Sequence, residues 1–388
     1  MSIDILSWLS ALGWGILGYI LPFIAVLTLV VFFHELGHFL VARRCGVKIL
    51  TFSIGFGPEL FGFDDRHGTR WKISAVPLGG YVKFFGDDNA ASTPDQAALA
   101  RMSEAERAHS FVAQSVGRRA AIVVAGPLAN FILAIVIFAS VFAFFGRQVT
   151  SARVDQVVPG SAAEAAGIKP GDRVVAIDGR PIESFSQMQR IVSTNAGRTL
   201  TITVDRGGVR EDLKAAPKLQ GFCNGVLGIK KDFAPGDVRL QRVPPVDAVG
   251  LGVEETYFIV ERSLCYLGGV VIGRESADQL GGPARIAQVS GQAWKAGLDS
   301  GGAGGAVVAL FYLAGLLSAS IGFLNLFPVP LLDGGHLLFY AIEWMRGRPL
   351  SDRAQEVGFR IGLAIVVMLM IFATYNDIVH IASQWTAS

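Results

Sequence analysis

Long stretches without charged side chains set the predicted architecture of this chain. The first, Ile5–Phe33, has 29 uncharged residues, and about 20 apolar residues suffice for a helix to cross a bilayer. Similar stretches cover Ala120–Gly146, Ser300–Leu332 and Ile361–Asn376, and the last continues in apolar residues beyond Asp377. We therefore predict a polytopic α-helical membrane protein with four transmembrane helices.

Two other segments are assigned differently. The glycine-rich first part of the Ser300–Leu332 stretch is predicted to be a loop. Ser263–Gly273 has only 11 uncharged residues, which is too short for a span. It is predicted to be an interfacial or re-entrant element in contact with the lipid bilayer.

Composition and charge agree with a membrane location. Of the 388 residues, 51% are hydrophobic and 17% are charged, against about 25% charged in soluble proteins. The net charge of +2 is too small to indicate a nucleic-acid partner. Basic residues cluster at 43–48, 118–119 and 346–353, and all three clusters share one side if four spans alternate. That side is predicted to be the cytoplasm, with both termini and the segment from about 147 to 300 outside it.

The motif HExxH directly follows the first apolar stretch, as His34-Glu35-Leu36-Gly37-His38. Histidines at positions i and i+4 of a helix lie on one face, where both imidazoles can bind one Zn²⁺. The glutamate between them lies beside the metal and can accept a proton from water. His34 and His38 are therefore predicted zinc ligands, and Glu35 is the predicted catalytic acid and base.

A third ligand is needed, and Asp333 is the candidate. It is the first charged residue after Ser300–Leu332, and a carboxylate at membrane depth is costly unless it is paired or metal-bound. Pro328 and Pro330 prevent regular helix just before it, which is tolerated only where the backbone lines a cavity. Two alternatives stay open: Asp333 is only a helix cap at the membrane surface, or His336 is a rival ligand, which we interpret as a neighbour.

Taken together, two motifs resemble the site-2 protease family of intramembrane zinc metalloproteases, and most closely its RseP-like bacterial branch. They are HExxH at the end of the first span and the pattern NxxPxPxLDGG over Asn325–Gly335. The resemblance implies these site residues: zinc ligands His34, His38 and Asp333, catalytic Glu35, and Asn325 as a holder of substrate backbone. A further family stretch is matched by Gly126–Asn130, for which we favour a role in helix packing.

Between the first two spans, the resemblance implies a membrane-associated β-hairpin loop on the cytoplasmic side. Residues 71–75 alternate between apolar and polar side chains, as in a strand. The resemblance implies that a sheet edge near Gly79 and Gly80 binds an extended substrate by β-augmentation. An ordinary hairpin without substrate contact is the alternative. The following segment, Asp87–His109, is predicted to be a mobile or amphipathic linker.

The external segment from about Ala152 to Leu219 has the element order of an α+β PDZ-like domain, present in one copy. PDZ domains commonly bind a peptide C-terminus in a groove. The loop that would bind the carboxylate is not recognisable here, so a size-excluding or packing module is equally open. Beyond it, a portion near Glu254–Arg262 is amphipathic and is predicted to lie on the membrane.

The three cysteines are Cys45, Cys223 and Cys265, and they show no CxxC or zinc-ribbon spacing. Cys223 and Cys265 share the external segment and could form a disulfide. We favour the simpler interpretation that they are unpaired small apolar residues.

These features divide the chain into seven predicted parts. They are 1–50 (first span with HExxH), 51–118 (β-loop and linker), 119–147 (second span), 148–220 (PDZ-like domain), 221–300 (amphipathic interfacial segment), 301–340 (third span with the second motif) and 341–388 (cytoplasmic loop and fourth span).

The resemblance implies an intramembrane zinc endopeptidase of the bacterial inner membrane that performs regulated intramembrane proteolysis. Its substrates would be single-span proteins already trimmed on the external side, such as anti-sigma factors and signal-peptide remnants. The PDZ-like domain and both termini would be periplasmic, with the active site toward the cytoplasm. The alternatives are a membrane zinc transporter, which has no need of Glu35 between ligands, and a catalytically silent PDZ scaffold.

Overall fold

The computed structural model describes residues 5–86, 101–232 and 237–387. Its helices are α1 (Ile5–Arg44), α2 (Glu104–Ala108), α3 (Val116–Phe145), α4 (Ala162–Ala165), α5 (Phe185–Ser193), α6 (Pro245–Val271), α7 (Pro283–Asn325), α8 (Asp333–Arg346) and α9 (Asp352–Ala387). Its strands are β1 (Ile49–Asp64), β2 (Arg70–Phe84), β3 (Arg147–Thr150), β4 (Gln156–Val157), β5 (Arg173–Ile177), β6 (Arg180–Pro181), β7 (Leu200–Arg206), β8 (Val209–Ala215), β9 (Lys218–Gln220), β10 (Asn224–Val226), β11 (Ile229–Lys230) and β12 (Val238–Gln241). Positions 87–100 of the predicted linker lie outside the described residues.

The chain forms two compact units. The first unit comprises Met1–Phe138, Gly252–Thr256 and Asp278–Ser388, and the second comprises Ala139–Leu251 and Tyr257–Ala277. The HExxH and NxxPxPxLDGG motifs fall in the first unit, and most of the strands fall in the second.

Four helices in the described part of the chain are long and apolar enough to cross a membrane: Leu17–Arg44, Val116–Phe145, Pro283–Asn325 and Arg353–Ser383. On α3, Leu128, Ile132 and Val136 are each more than half exposed, and their spacing places them on one helix face. Ala134 and Phe138 on the other side are fully buried. A helix that presents an apolar stripe outward fits a lipid environment, and the number of helices agrees with the four predicted spans.

The glycine-rich segment predicted to be a loop is instead helical, apart from one sharp break in α7. Only Gly301 and Gly302 leave helical backbone angles, and Gly302 has a φ of 60°, which glycine adopts without steric cost. A Cβ on Gly297 would overlap the carbonyl oxygen of Gly305, although eight residues of continuous helix would separate them by about 12 Å. The loop prediction was wrong because these glycines permit a close reversal between two helical segments.

Strands β1 and β2 pair twice, so that four strand segments lie side by side. Phe52 of β1 is opposite Val82 on one side and Trp71 on the other, and Trp71 is also opposite Phe63. The order across this sheet is therefore 80–84, 49–54, 70–74 and 59–64. Within the described residues the 80–84 segment is an edge of the sheet.

The sheet is anchored to the end of α1 by aromatic packing and one partly buried ion pair. Phe52 stacks on Trp71 with ring centroids 4.3 Å apart, and Phe39 of α1 packs edge-on against both rings. Arg43 donates a hydrogen bond of 2.5 Å to Asp65, which follows β1. Burial alone would raise the pKa of Asp65, but the hydrogen bonds from Arg43, from two backbone N–H groups and from Trp71 hold that pKa well below its ordinary value. The carboxylate therefore stays ionised and fixes the sheet beside the HExxH helix.

The second unit contains a four-stranded antiparallel sheet of order β6-β5-β7-β8. Its core joins the sheet to α4 and α5 through buried side chains that include Val154, Ala163, Ile177, Met188, Ile202 and Val204. Leu227 belongs to the same core, and Ile229 of β11 pairs with Val157 of β4. The core therefore extends beyond the predicted boundary at 220, and we move that boundary to about 232.

Cys223 and Cys265 are joined in a disulfide, with Cα atoms 5.8 Å apart. The favoured interpretation of two unpaired cysteines was wrong. Phe222 packs against Gly268 and Gly269 of α6. A Cβ on Gly268 would overlap the Phe222 ring, and a Cβ on Gly269 would overlap Glu275 and press on the Cβ of Phe222. These two glycines let the turn before β10 approach the helix, and the spacing of cysteines in the sequence carries no sign of that approach.

Both segments predicted to lie at the membrane surface belong to one continuous helix, α6, of 27 residues. Val246, Val249, Val253, Tyr257 and Leu264 are exposed, and their spacing places them along one helix face. Contact of this face with a bilayer stays a prediction.

Candidate metal centre

The HExxH motif lies in the last third of α1, where the helix is continuous to Arg44. Regular helix places His34 and His38 one turn apart on the same face. Their Nε2 atoms are 3.2 Å apart. The two imidazoles therefore point toward a common position.

The third side chain, Asp333, is positioned by a tight irregular connection between two helices. Helix α7 ends at Asn325, and α8 begins at Asp333, so the predicted 301–340 span is divided in two. Leu331 has a φ of 96°, which is strained for a residue with a side chain. A Cβ on Gly334 or Gly335 would overlap carbonyl groups of the connection itself. The two prolines and two glycines of the motif thus fold the chain back tightly enough to direct Asp333 inward.

Asp333 meets both imidazoles. Its Oδ2 lies 3.2 Å from His34 Nε2, and its Oδ1 lies 3.5 Å from His38 Nε2. These three side chains form a group whose ligand atoms all lie within 4.8 Å of one another. Within the described residues, Asp333 Oδ2 is buried and has no hydrogen-bond partner. Such a carboxylate oxygen requires a cation or another partner.

The geometry fits a zinc ion. Ligand atoms about 2.0–2.2 Å from one tetrahedral zinc lie about 3.3–3.6 Å from each other. The separations of 3.2 Å between the two Nε2 atoms and of 3.2 Å between His34 Nε2 and Asp333 Oδ2 are close to this range, and His38 Nε2 lies 3.5 Å from the other carboxylate oxygen, Oδ1. Two imidazoles and one carboxylate are also a typical set for a catalytic zinc, which keeps a fourth position open. The donor set therefore suits the metal that the motif indicates.

Glu35 lies beside this group on the side of the sheet edge. It accepts a hydrogen bond from the backbone N–H of Val82 in β2. A Cβ on Gly80 would lie 3.0 Å from Cγ of Glu35, so a side chain at position 80 would press on the glutamate. Gly79 has a φ of 150° and lies next along the same edge. Sequence-predicted Glu35, Gly79 and Gly80 are thus neighbours in space.

Two other residues singled out in the sequence, Asn325 and His336, lie at different distances from the proposed ligands. Asn325 Nδ2 is 3.5 Å from His34 Nε2, so this amide borders the metal position. His336 is not in the ligand group formed by the described residues, and its ring instead lies 5.5 Å from that of Phe359. The interpretation of His336 as a neighbour agrees with this placement.

The stretch Gly126–Asn130 approaches the site more closely than a packing role requires. A Cβ on Gly126 would overlap the imidazole of His38 and crowd that of His34. Asn130 is fully buried, and its Nδ2 lies 3.2 Å from His34 Nδ1. Sequence reasoning missed both contacts, and the only signal was the recurrence of this short stretch in the resembling family.

Two imidazoles, a carboxylate and an adjacent glutamate, held among helices long enough to span a membrane, define a metalloprotease site in a polytopic membrane protein. The model of peptidase family M50 matches residues 22–369, and the chain belongs to this family. Its peptidases depend on zinc.

Similar proteins carry consistent names. A protein of Agrobacterium fabrum, provisionally named a zinc metalloprotease, is 51% identical over 369 residues, which cover 93% of this chain and 96% of the relative. A protein of Rhizobium meliloti with the same kind of name is 49% identical over 371 residues, with coverage of 93% and 97%. Metalloprotease MmpA of Caulobacter vibrioides is 40% identical over 385 residues, with coverage of 94% and 96%. The similarity thus extends far beyond the two motifs.

Proposed function

We propose that this protein is an intramembrane zinc endopeptidase that cleaves single-span membrane proteins. The observation that carries the proposal is the convergence of His34, His38 and Asp333 from two separate helices beside Glu35. A structural zinc site would instead be closed by four protein ligands. Three ligands with a neighbouring carboxylate favour catalysis.

In this proposal His34, His38 and Asp333 hold zinc, which when bound makes water acidic enough to be deprotonated near neutral pH. Glu35 accepts that proton and later donates it to the leaving amine of the cleaved peptide. The hydrogen bond from Val82 N–H keeps the Glu35 carboxylate at the sheet edge. Glu35 therefore lies between the metal position and the place where a peptide would bind.

The edge segment at 80–84 supports binding of an extended substrate. A helical substrate hides its scissile carbonyl in intrahelical hydrogen bonds, so it must unwind before attack. Backbone groups of an open sheet edge can pair with the unwound segment. A Cβ on Gly80 would overlap Ser53 O and a methyl group of Val31 and press on Cγ of Glu35, so the lack of a side chain there lets this edge lie close to Glu35. Asn325 would then bind a substrate carbonyl near the metal.

Exposed apolar side chains support a hairpin that contacts the membrane. They lie on β1 and β2 and are Phe56, Leu60, Phe61, Phe63, Ile73, Val76 and Leu78. A patch of this kind is unusual on a surface that faces water. The distribution of basic residues supports an active site toward the cytoplasm of a bacterial inner membrane, with the second unit and both termini in the periplasm.

The α+β second unit is proposed to be a PDZ-like domain that acts as a size filter. Support comes from its antiparallel sheet β6-β5-β7-β8 and from α4 and α5, whose buried side chains share one core with the sheet. A filter on the opposite side of the membrane from the chemistry would exclude bulky ectodomains and admit trimmed substrates. Anti-sigma factors and signal-peptide remnants are the proposed substrate classes.

Reconstitution in lipid vesicles tests the function. The purified protein should cleave a single-span peptide with a short external stub, lose activity with a chelator and regain it with zinc. A protein that binds zinc but never cleaves such a peptide would favour the silent scaffold. Zinc flux across the vesicle membrane without cleavage would favour a transporter, and neither result would be compatible with the proposal.

A further inference from the structure

We infer that Asn130 is a positioning residue that fixes the tautomer of His34 and so keeps its Nε2 available to the metal. The inference rests on the proposed function, because it concerns one of the proposed zinc ligands. It assigns a role to a side chain that the sequence pattern connects only with helix packing.

Asn130 is well placed for this role. It lies on α3 with none of its surface exposed, and its amide nitrogen is 3.2 Å from His34 Nδ1. Its other amide atom, Oδ1, is buried and has no hydrogen-bond partner among the described residues. An unpaired amide oxygen in such a place is uncommon and calls for a reason.

Binding of a metal by His34 would explain the unpaired Oδ1 of Asn130. His34 Nε2 is the atom that faces Asp333 and His38, so Nε2 must carry the lone pair and Nδ1 must carry the proton. A protonated Nδ1 needs an acceptor, whereas the amide nitrogen of Asn130 can only donate. Rotating the amide by 180° exchanges oxygen and nitrogen and leaves the number of unpaired atoms unchanged. In the metal-binding form, Nδ1–H of His34 therefore donates to Oδ1 of Asn130.

The tautomer of the second imidazole, His38, is set by a different kind of partner. His38 Nδ1 is 2.9 Å from the backbone carbonyl of Ile122. A carbonyl can only accept, so this contact allows one tautomer, with the His38 Nε2 lone pair free for metal. Asn130 can either donate or accept, so the tautomer of His34 depends on how this amide is oriented.

The backbone of Asn130 is held from the other side. Ser318 of α7 donates a hydrogen bond of 2.8 Å from its hydroxyl to the Asn130 carbonyl oxygen. This contact fixes the position of residue 130 without touching His34. Ser318 is therefore a matched control, because its loss removes a hydrogen bond between α7 and the same residue of α3 but leaves the contact with His34 of α1 in place.

The test measures zinc affinity by competition with a chelator for the full protein in detergent. Loss of an outer hydrogen-bond partner of a metal ligand typically weakens metal binding by about 10–100-fold. We expect that loss for Asn130→Ala, and we expect Ser318→Ala to remain within about threefold of the original protein. Asn130→Asp offers only acceptors, so it should restore affinity to within about threefold. Asn130→Ser, whose hydroxyl is too short to reach His34, replaces the alanine variant if that variant does not fold.

Unchanged zinc affinity in folded Asn130→Ala or Asn130→Ser would overturn the inference. So would an Asn130→Asp variant that loses as much affinity as the alanine variant, because a packing role alone would not be rescued by an acceptor. The proposed function fails separately: the unsubstituted protein would then bind no zinc, or would bind it and cleave nothing, whatever the variants do.

Discussion

Gly126 of α3 faces His38 of α1 so closely that a single methyl group at position 126 would overlap the imidazole at Nε2 and Cε1. Nε2 is the atom that approaches Asp333. The absence of a side chain at position 126 is therefore a condition for the imidazoles to reach the metal position, as well as for close helix packing.

Gly126→Ala should lower zinc affinity and cleavage together, because overpacking costs about 1–3 kcal/mol and here falls on the ligands themselves. The matched control is Gly117→Ala in the same helix, where an added Cβ meets nothing within 4 Å. Zinc titration and peptide cleavage of both variants, checked for folding, make the comparison. Equal behaviour of the two variants would show that Gly126 does not set the position of the imidazoles.

Removal of the proposed third ligand, Asp333, should separate metal binding from substrate binding. Asp333→Ala should lose stoichiometric zinc and all measurable cleavage, because the two imidazoles alone bind the ion weakly. Asn325→Ala should keep its zinc and turn over substrate more slowly. Metal analysis alongside cleavage kinetics decides the matter, and full zinc content with full activity in Asp333→Ala would disprove the pairing of the two motifs.

Deletion of the PDZ-like region should widen the range of substrates. The structure suggests removing residues 152–232, because Leu227 and Ile229 belong to the same core and β3 still pairs with β12 as a stem for a flexible linker. This variant should cleave a substrate that retains its bulky external domain, while turnover of a trimmed substrate stays roughly unchanged. If the trimmed substrate is no longer cleaved by a folded, zinc-loaded variant, the region is part of the catalytic architecture.

The stability of the second unit should fall in acid because of the ion pair between buried Asp172 and partly exposed Arg206. Arg206 donates two hydrogen bonds of 2.8 Å to Asp172, one from Nε and one from Nη2. Burial alone would raise the pKa of Asp172, but these bonds and one from the Lys169 backbone hold it below its ordinary value. The pair therefore stabilises the fold fully above the ordinary aspartate pKa of about 3.9, and that contribution is lost as the pH falls through the lower folded value.

Hydrogen exchange of β5 and β7, corrected for the intrinsic rate at each pH, measures this effect in the full protein. Protection should be level between neutral pH and about pH 5 and should decline below pH 4. Asp172→Asn should lower protection at neutral pH by about 1–3 kcal/mol and reduce the decline in acid. A variant with the protection of the original protein at neutral pH would contradict the role of this pair.

Much of the fold could be predicted, because the main requirement for a helix that crosses a bilayer is met within one stretch of sequence. Burying about 20 residues in lipid requires an apolar stretch, and such stretches are visible without knowing any contact. Gly301 and Gly302 were misread because glycine serves flexible loops and close helix reversals alike. The Cys223–Cys265 bond is the less favoured of two open interpretations of the sequence, because the spacing of the cysteines does not show that the turn holding Phe222 packs on the glycines of α6.

Some residues of the candidate site could be predicted because they are defined by spacing within one helix or by a single charged side chain in an apolar stretch. His34 and His38 follow from helical spacing, and Asp333 follows from the cost of a carboxylate at membrane depth. The contacts of Gly126 and Asn130 with the imidazoles could not be predicted, because they depend on how α3 packs against α1. A small residue and an amide in an apolar helix predict packing equally well, and only the three-dimensional contacts show that both reach the imidazoles.

The central claim is that Glu35 performs proton transfer beside a zinc held by three other residues, and one paired measurement tests it. Zinc content and cleavage of a trimmed single-span peptide are determined for the original protein and for Glu35→Gln in the same lipid vesicles. The account predicts equal zinc in both, with cleavage by the variant reduced by about 10²–10⁴-fold, the usual contribution of a general base. Near-original cleavage by a zinc-loaded Glu35→Gln variant would contradict it.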